Sequence, residues 1–197
     1  MEKFSSKLIE FFVSNDLIKN EDKEIYKYAV NIILSSLIHI ATVMIIGLCF
    51  NLFIESLVFY FSFIAIRKFA GGYHAKTPVR CYMFSIILYI VSLELIGFIC
   101  ESQYCVIITI ILELFSLVCI FAISPLDSNK HPLNLREKRV YRIISFTSSI
   151  VLFLLSLMLL FELKKIGIAV GLGIILVAFV LLIRKIQIIV DQNIGVR

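Results

Sequence analysis

Six long apolar runs, separated by short polar segments, constrain the fold of this chain more than any other feature. A helix that crosses a bilayer needs about 20 apolar residues, and six segments reach or approach that length: Ala29–Phe50, Leu52–Ile66, Tyr82–Cys100, Tyr104–Ile123, Ile143–Phe161 and Ile166–Ile183. Hydrophobic residues make up 60% of the 197 positions, which exceeds the share in soluble domains. The sequence therefore predicts an all-α integral membrane protein with six transmembrane helices.

The second run, Leu52–Ile66, is short for a transmembrane helix. Its fifteen residues cover only about 22 Å at a helical rise of about 1.5 Å per residue. Either the bilayer thins around this run, or the helix continues past Ile66 into the polar residues that follow. The sequence leaves both alternatives open.

The basic residues predict the orientation in the membrane. If the N-terminus lies inside, 17 of the 19 Lys and Arg residues lie on the inner side, and only Lys164 and Lys165 lie outside. Cytoplasmic loops of membrane proteins collect Lys and Arg. We therefore expect a multi-pass protein of the cell membrane with both termini in the cytoplasm. This bias also accounts for the net charge of +5 without a nucleic-acid partner.

The chain reads as one membrane-embedded domain over residues 1–197, with three parts on its cytoplasmic side. These are a start over residues 1–28, a loop over residues 67–81 and a basic loop over residues 124–142. Within the start, apolar residues recur at helical spacing, namely Phe4, Leu8, Phe11 and Phe12. This pattern predicts an amphipathic helix. It lies on the inner leaflet or packs on the cytoplasmic loops, and the sequence favours neither.

The loop over residues 67–81 carries the side chains that could act as a nucleophile and a base. His74 precedes Cys81 by seven positions, and a thiol with a nearby imidazole is the minimum equipment of a cysteine nucleophile. Thr77 is a good helix N-cap and Pro78 is favoured at the first helical position. Cys81 is therefore expected in the first turn of the third spanning helix. There the free backbone N–H groups and the helix dipole favour a thiolate and can stabilise an oxyanion.

His74 can reach Cys81 only if the chain bends between them. One continuous helix would separate the two residues by about 10 Å along its axis. The residue before a proline avoids helical geometry, so we expect a change of direction at Thr77. The alternative is that His74 is merely solvated and Cys81 merely packs.

Other polar residues give weaker signals. One Cys and one His are too few for a metal site, and we expect no metal or cofactor. Glu94 and Glu113 lie too deep to orient His74, so any orienting group must come from the loops, where Asp127 and Asn129 are candidates; a bare dyad is equally open. Four polar residues inside the apolar runs are expected to face the bundle interior: His39, Glu55, Glu94 and Glu113. They are either paired with one another or with a partner subunit, or they line a proton or ion path.

Arg67, the run Gly71-Gly72-Tyr73-His74-Ala75 and Cys81 at the third span together resemble the accessory gene regulator protein B family. The stretch Ser124–Leu133 resembles the same family. The resemblance implies a membrane cysteine endopeptidase of bacterial quorum sensing, with His74 and Cys81 as the catalytic pair. It assigns Arg67 and Gly72 to supporting positions.

The resemblance also implies a substrate and partners. The substrate would be a membrane-anchored signalling propeptide with an acidic C-terminal tail, which cytoplasmic cations would attract, among them Lys130, Arg136, Lys138 and Arg139. Cys81 would displace the tail to form a thioester, and the propeptide's own cysteine or serine would close a thiolactone or lactone ring. The resemblance further suggests a homodimer. Two rival functions are a small transporter or channel that uses its intramembrane Glu residues, and a non-catalytic scaffold that binds the propeptide.

Overall fold

The computed structural model describes residues 2–15, 17–72, 78–126 and 134–194. This part of the chain forms seven α-helices: α1 Glu2–Ser14, α2 Lys23–Cys49, α3 Phe53–Ala70, α4 Pro78–Glu101, α5 Cys105–Ile123, α6 Leu135–Glu162 and α7 Lys164–Ile194. A short 3-10 turn, Asn20–Asp22, precedes α2. The described residues contain no strand, which confirms the prediction of an all-α fold.

Five helices, α2, α4, α5, α6 and α7, are long and apolar enough to cross a membrane. They indicate an integral membrane protein. Helix α3 is not one of the five, because its eighteen residues include Glu55, Arg67 and Lys68. It does continue past Ile66 to Ala70, which extends it to about 27 Å. The count of six spans therefore stays a prediction, and α3 is the helix that decides it.

Helix α6 begins at Leu135, eight residues before the apolar run that predicted it. Asn134 and Glu137 are the reason, because they have the spacing of a capping box: the backbone N–H of Asn134 donates to Oε2 of Glu137 at 2.9 Å. The predicted loop over residues 124–142 was thus wrong for residues 135–142, which are helical. The basic side chains of that stretch lie on a helix.

The contacts divide the chain into two compact units, Met1–Ile46 and Gly47–Arg197. The first unit contains α1 and most of α2. Glu2–Ser14 is helical, and among its described side chains Ser5 and Ile9 are buried, whereas Phe11 is 58% exposed. The amphipathic character of this helix and its position on the inner leaflet stay predictions.

Helix α7 is the centre of the second unit and packs against α3, α4, α5 and α6. Glycine allows the closest of these approaches, since a Cβ atom on Gly167 would lie 2.6 Å from the backbone nitrogen of Leu160 in α6. One end of the unit has a fully buried apolar cluster that joins α3, α5 and α7, with Ile66, Ala70, Ile120, Ile174, Val177 and Leu181 among its members. Directly beside this cluster lie the residues of the candidate site.

Candidate active site

Cys81 lies in the first turn of α4, three residues after Pro78 at the helix start. This confirms the prediction from the Thr-Pro pair, although Thr77 itself lies outside the described residues. The cysteine is half-buried, and its backbone carbonyl accepts a hydrogen bond from the Ser85 hydroxyl at 2.9 Å. A sulfur in this position is near the helix N-terminus, where an anion is stabilised.

Arg67 lies in the last turn of α3 and interacts electrostatically with Cys81. The guanidinium lies over the ring of Phe63, 5.6 Å from its centroid. Since an arginine stays protonated in proteins, Cys81 lies within electrostatic reach of a fixed positive charge.

Gly71 and Gly72 end α3 in conformations that favour glycine, with φ angles of +76° and +136°. The N–H of Gly71 donates to the Arg67 carbonyl at 3.1 Å. A Cβ atom on Gly72 would lie 2.5 Å from Nη1 of Arg67 and 3.1 Å from Cγ1 of Val180. The absence of a side chain at Gly72 thus leaves the space that the guanidinium occupies.

The segment after α5 packs directly on this turn. The N–H of Leu126 donates to the Ala70 carbonyl at 3.1 Å, and Leu126 forms an isolated parallel bridge with Gly71. These contacts bring together two stretches that are more than fifty residues apart in sequence. They are the same two stretches on which the family resemblance depends.

Several predicted site residues lie outside the described residues, namely His74, Asp127, Asn129 and Lys130. The predicted pair of His74 and Cys81 therefore stays a prediction, and so does an orienting role for Asp127 or Asn129. The other predicted basic residues lie in the first two turns of α6, where Arg136 and Arg139 are exposed and Lys138 is half-buried.

Sequence reasoning did not identify a site role for two residues of α6, Arg142 and Ser145, which both contact Ser124. Arg142 donates from Nε to the carbonyl of Ser124 at 2.9 Å, and the buried hydroxyls of Ser124 and Ser145 are 2.7 Å apart. The capping box at Asn134 was the available signal, because an early start of α6 places Arg142 and Ser145 on one helix face. The contact with Ser124 itself has no local sequence signal.

The acidic residues inside the apolar runs differ in their surroundings. Glu113 is fully buried, as predicted, and neither of its carboxyl oxygens has a hydrogen-bond partner among the described residues. Ser156 lies near it, but the Ser156 hydroxyl donates to the Gly167 carbonyl at 3.0 Å. Glu94, by contrast, is exposed on α4, so its predicted place in the bundle interior was wrong.

Comparison with known proteins identifies the family. The model of the family Accessory gene regulator B matches residues 5–181. A putative AgrB-like protein of Clostridium perfringens strain SM101 is 34% identical over 143 residues, which cover 68% of this chain and 65% of that protein. A second, putative AgrB-like protein 1 of strain 13, is 28% identical over 80% of this chain and 83% of its own length.

A relative with a more specific name is the accessory gene regulator protein B of Staphylococcus aureus strain Newman. It is 34% identical over 113 residues, which cover 55% of this chain and 56% of that protein. The alignment with the strain SM101 protein spans just under two thirds of that protein's length. No solved structure matches the chain significantly. Because the family match covers most of the chain and includes both stretches of the candidate site, this protein belongs to the accessory gene regulator B family.

Proposed function

We propose that this protein is a membrane cysteine endopeptidase that cleaves and cyclises a quorum-sensing propeptide, with Cys81 as nucleophile and His74 as base. One observation carries the proposal: Cys81 lies in the first turn of α4, within electrostatic reach of Arg67. A reactive cysteine needs an electropositive, accessible surrounding, and these two features supply it. Cys81 is half-buried, whereas Cys105 and Cys119 are buried in the bundle.

In the proposed topology, α3 is the sixth span and residues 1–197 act as one domain in the cell membrane. Both termini and the end of the bundle that carries Arg67 face the cytoplasm, because the basic residues of the chain favour that side. Helix α1 lies on the inner leaflet. This arrangement puts the site at the level of the membrane surface, where a propeptide anchored on the inner leaflet reaches it by diffusion in two dimensions.

The first half of the reaction is an acyl transfer to sulfur. His74 takes the proton from the Cys81 thiol, and the thiolate attacks the carbonyl that precedes the tail of the propeptide. The oxyanion accepts hydrogen bonds from backbone N–H groups at the start of α4. The positive charge of Arg67 stabilises it further. Protonated His74 then gives its proton to the departing amine. The tail leaves, and a thioester links the propeptide to Cys81.

The second half closes the ring. The propeptide's own cysteine attacks the thioester, the Cys81 thiol is released, and a thiolactone forms; a serine in that position would give a lactone. Water competes with the internal nucleophile and would yield a linear product. The enzyme must therefore hold the propeptide over the thioester until the ring has closed.

The acidic tail of the propeptide is the proposed recognition element. Arg136 and Arg139 are exposed in the first turns of α6 and half-buried Lys138 lies between them in the sequence, so the start of α6 carries three cations. Lys130 adds to this charge in the sequence. Such a field attracts an acidic segment and speeds its encounter with the enzyme. Asp127 or Asn129 is proposed to orient His74, and the enzyme works as a homodimer.

The test uses the full-length protein in liposomes with an AgrD-type propeptide, which is the class of substrate that the family resemblance implies. Wild type, Cys81→Ala and His74→Ala are compared by mass spectrometry. The proposal predicts a propeptide adduct on Cys81 and no cleavage by Cys81→Ala. Loss of the general base is expected to lower the rate by at least about 100-fold in His74→Ala.

Cys49→Ala is the matched control, because Cys49 is exposed on α2 and has no part in the proposal. It should cleave as the wild type does. Cleavage by Cys81→Ala at the wild-type rate would exclude the peptidase. Propeptide that binds and is never cleaved by the wild type would instead favour the scaffold.

A further inference from the structure

We propose that Arg142 is a positioning residue for the candidate active site, which it holds in place through the segment Ser124–Leu126. The inference rests on the proposed function, because it assigns the segment a part in the same reaction. Like Arg136 and Arg139, Arg142 is exposed on α6, but its guanidinium donates to the Ser124 carbonyl. Two successive contacts connect Arg142 to the turn at Gly71, and a third leads from that turn to Arg67.

The first contact fixes Ser124 to α6. Nε of Arg142 donates to the Ser124 carbonyl at 2.9 Å, a distance typical of a hydrogen bond from a charged donor. The Ser145 hydroxyl donates to the Arg142 carbonyl at 3.1 Å. The hydroxyls of Ser124 and Ser145 are also hydrogen-bonded to each other at 2.7 Å. Both serines are fully buried, so the geometry of this junction is tightly defined.

The second contact fixes α3 to the same segment. Two residues after Ser124, the N–H of Leu126 donates to the carbonyl of Ala70, which is the last residue of α3 and has no partner within its own helix. Leu126 also bridges Gly71, where a Cβ atom would lie 2.5 Å from the Leu126 carbonyl oxygen. The close approach leaves Gly71 little freedom to shift relative to Leu126.

The third contact reaches the reacting groups. Gly71 donates its N–H to the carbonyl of Arg67, and Gly72 lies against the guanidinium that interacts with Cys81. The position of this turn therefore restricts the positive charge that acts on Cys81.

A second role for Arg142 has to be separated from this one. Arg142 could simply be one more cation that attracts the acidic tail, as proposed for Arg136 and Arg139. Loss of tail attraction weakens binding and raises KM, whereas misplacement of the reacting groups lowers kcat. The guanidinium differs from an ammonium in its planar donor geometry, so Arg142→Lys keeps the charge but not the donor at Nε.

The experiment measures kcat and KM for propeptide cleavage by the full-length protein in liposomes. Arg142→Ala is expected to lower kcat by at least about ten-fold, with KM within about two-fold of wild type, and Arg142→Lys to restore kcat only in part. Ser145→Ala, which keeps every charge, is expected to lower kcat in the same direction. Arg139→Ala should raise KM and keep kcat. Lys165→Ala, at the opposite end of the bundle, should match the wild type.

Coupling between the two positions provides a second test, with kcat measured per folded protein. If Arg142 acts through Gly71, the double variant Arg142→Ala/Gly71→Ala should be no slower than the slower single variant, because residues that act as a unit are not additive. The inference would be overturned by a double variant whose loss of kcat is the product of the two single losses. A rise in KM alone in Arg142→Ala, or a wild-type kcat in Arg142→Lys, would overturn it as well.

The Cys81→Ala variant in the same assay separates this inference from the proposed function. Cleavage by Cys81→Ala would show that the proposed function is wrong. An inactive Cys81→Ala together with Arg142→Ala of wild-type kcat would leave the proposed function intact and refute only the role of Arg142.

Discussion

Gly71 and Leu126 approach so closely that a methyl group on Gly71 would lie 2.5 Å from the Leu126 carbonyl oxygen. Backbone thus meets backbone at this point, and neither side can move away as a flexible side chain would. The contact joins the end of α3 to the segment that follows α5. A residue with a side chain at position 71 would have to open this junction.

Gly71→Ala is therefore expected to impair both stability and cleavage. The φ of +76° with a ψ of −151° is a conformation that essentially only glycine adopts and costs about 1–3 kcal/mol for a residue with a Cβ atom, and the clash with Leu126 adds to that cost. Thermal unfolding in detergent and propeptide cleavage measure the two effects. Gly97→Ala is the control, since a Cβ atom there meets nothing within 4 Å. If Gly71→Ala had the unfolding temperature and the cleavage rate of the wild type, the close contact would be contradicted.

The charge of Arg67 is expected to control the reactivity of Cys81. In Arg67→Gln the positive charge beside the sulfur is lost, so alkylation of Cys81 by iodoacetamide at pH 7 should slow by about ten-fold. Arg67→Lys, which keeps a charge but not the guanidinium plane, should fall between the two. The measurement uses a protein in which Cys81 is the only cysteine. Equal alkylation rates in all three proteins would show that Arg67 does not act on Cys81.

Glu113 is expected to contribute to packing and not to chemistry. Its carboxyl oxygens have no hydrogen-bond partner among the described residues, and a buried carboxyl group without a partner is costly. Glu113→Gln should therefore keep cleavage within about two-fold of wild type and unfold at the same temperature or a higher one. Lost cleavage in a folded Glu113→Gln protein would contradict this and would favour a proton path through the bundle.

Two glycines of α7 should tolerate alanine to different degrees. A Cβ atom on Gly167 meets the backbone of Leu160 at 2.6 Å, whereas one on Gly171 collides with the carboxyl group of Glu113. A side chain can turn aside and a backbone cannot, so Gly167→Ala should lower the unfolding temperature more than Gly171→Ala. Overpacking of this kind costs about 1–3 kcal/mol. The opposite order would show that the carboxyl group is held more rigidly than the α6 backbone.

Cyclisation is expected to be reversible while the cleaved tail remains. The proposed reaction exchanges an amide for a thioester, which is uphill, so the yield of ring should depend on the concentration of free tail. Quantifying the cyclic product against added tail peptide in liposomes tests this. A yield that does not respond to the tail would mean that another step makes the reaction irreversible.

Local sequence signals predicted part of this arrangement. The pair Thr77-Pro78 predicted the start of α4 and hence the place of Cys81, because proline is favoured in the first helical turn. The apolar runs predicted the helices but not their ends: α6 starts at Leu135 because Asn134 and Glu137 cap it, a signal that lies outside the apolar run.

The remaining contacts depend on tertiary packing that no local pattern encodes. The pairing of Leu126 with Gly71 joins distant segments, and the hydrogen bond from Arg142 requires that pairing to exist first. Glu113 and Glu94 show the same limit, since both interrupt apolar runs in the same way and only Glu113 is buried. What distinguishes them is that the Glu113 side chain lies against Gly171 of α7, whereas Glu94 is exposed on α4.

The central place of α7 has a consequence for how the protein is made. The ribosome synthesises α7 only after α3, α4, α5 and α6, the four helices against which it packs. Until it inserts, Ile66 and Ile120 lack the apolar partners Ile174 and Leu181 that complete their cluster, and Gly72 lacks its contact with Val180. The order of synthesis thus delays completion of the Arg67 turn until α7 has been made.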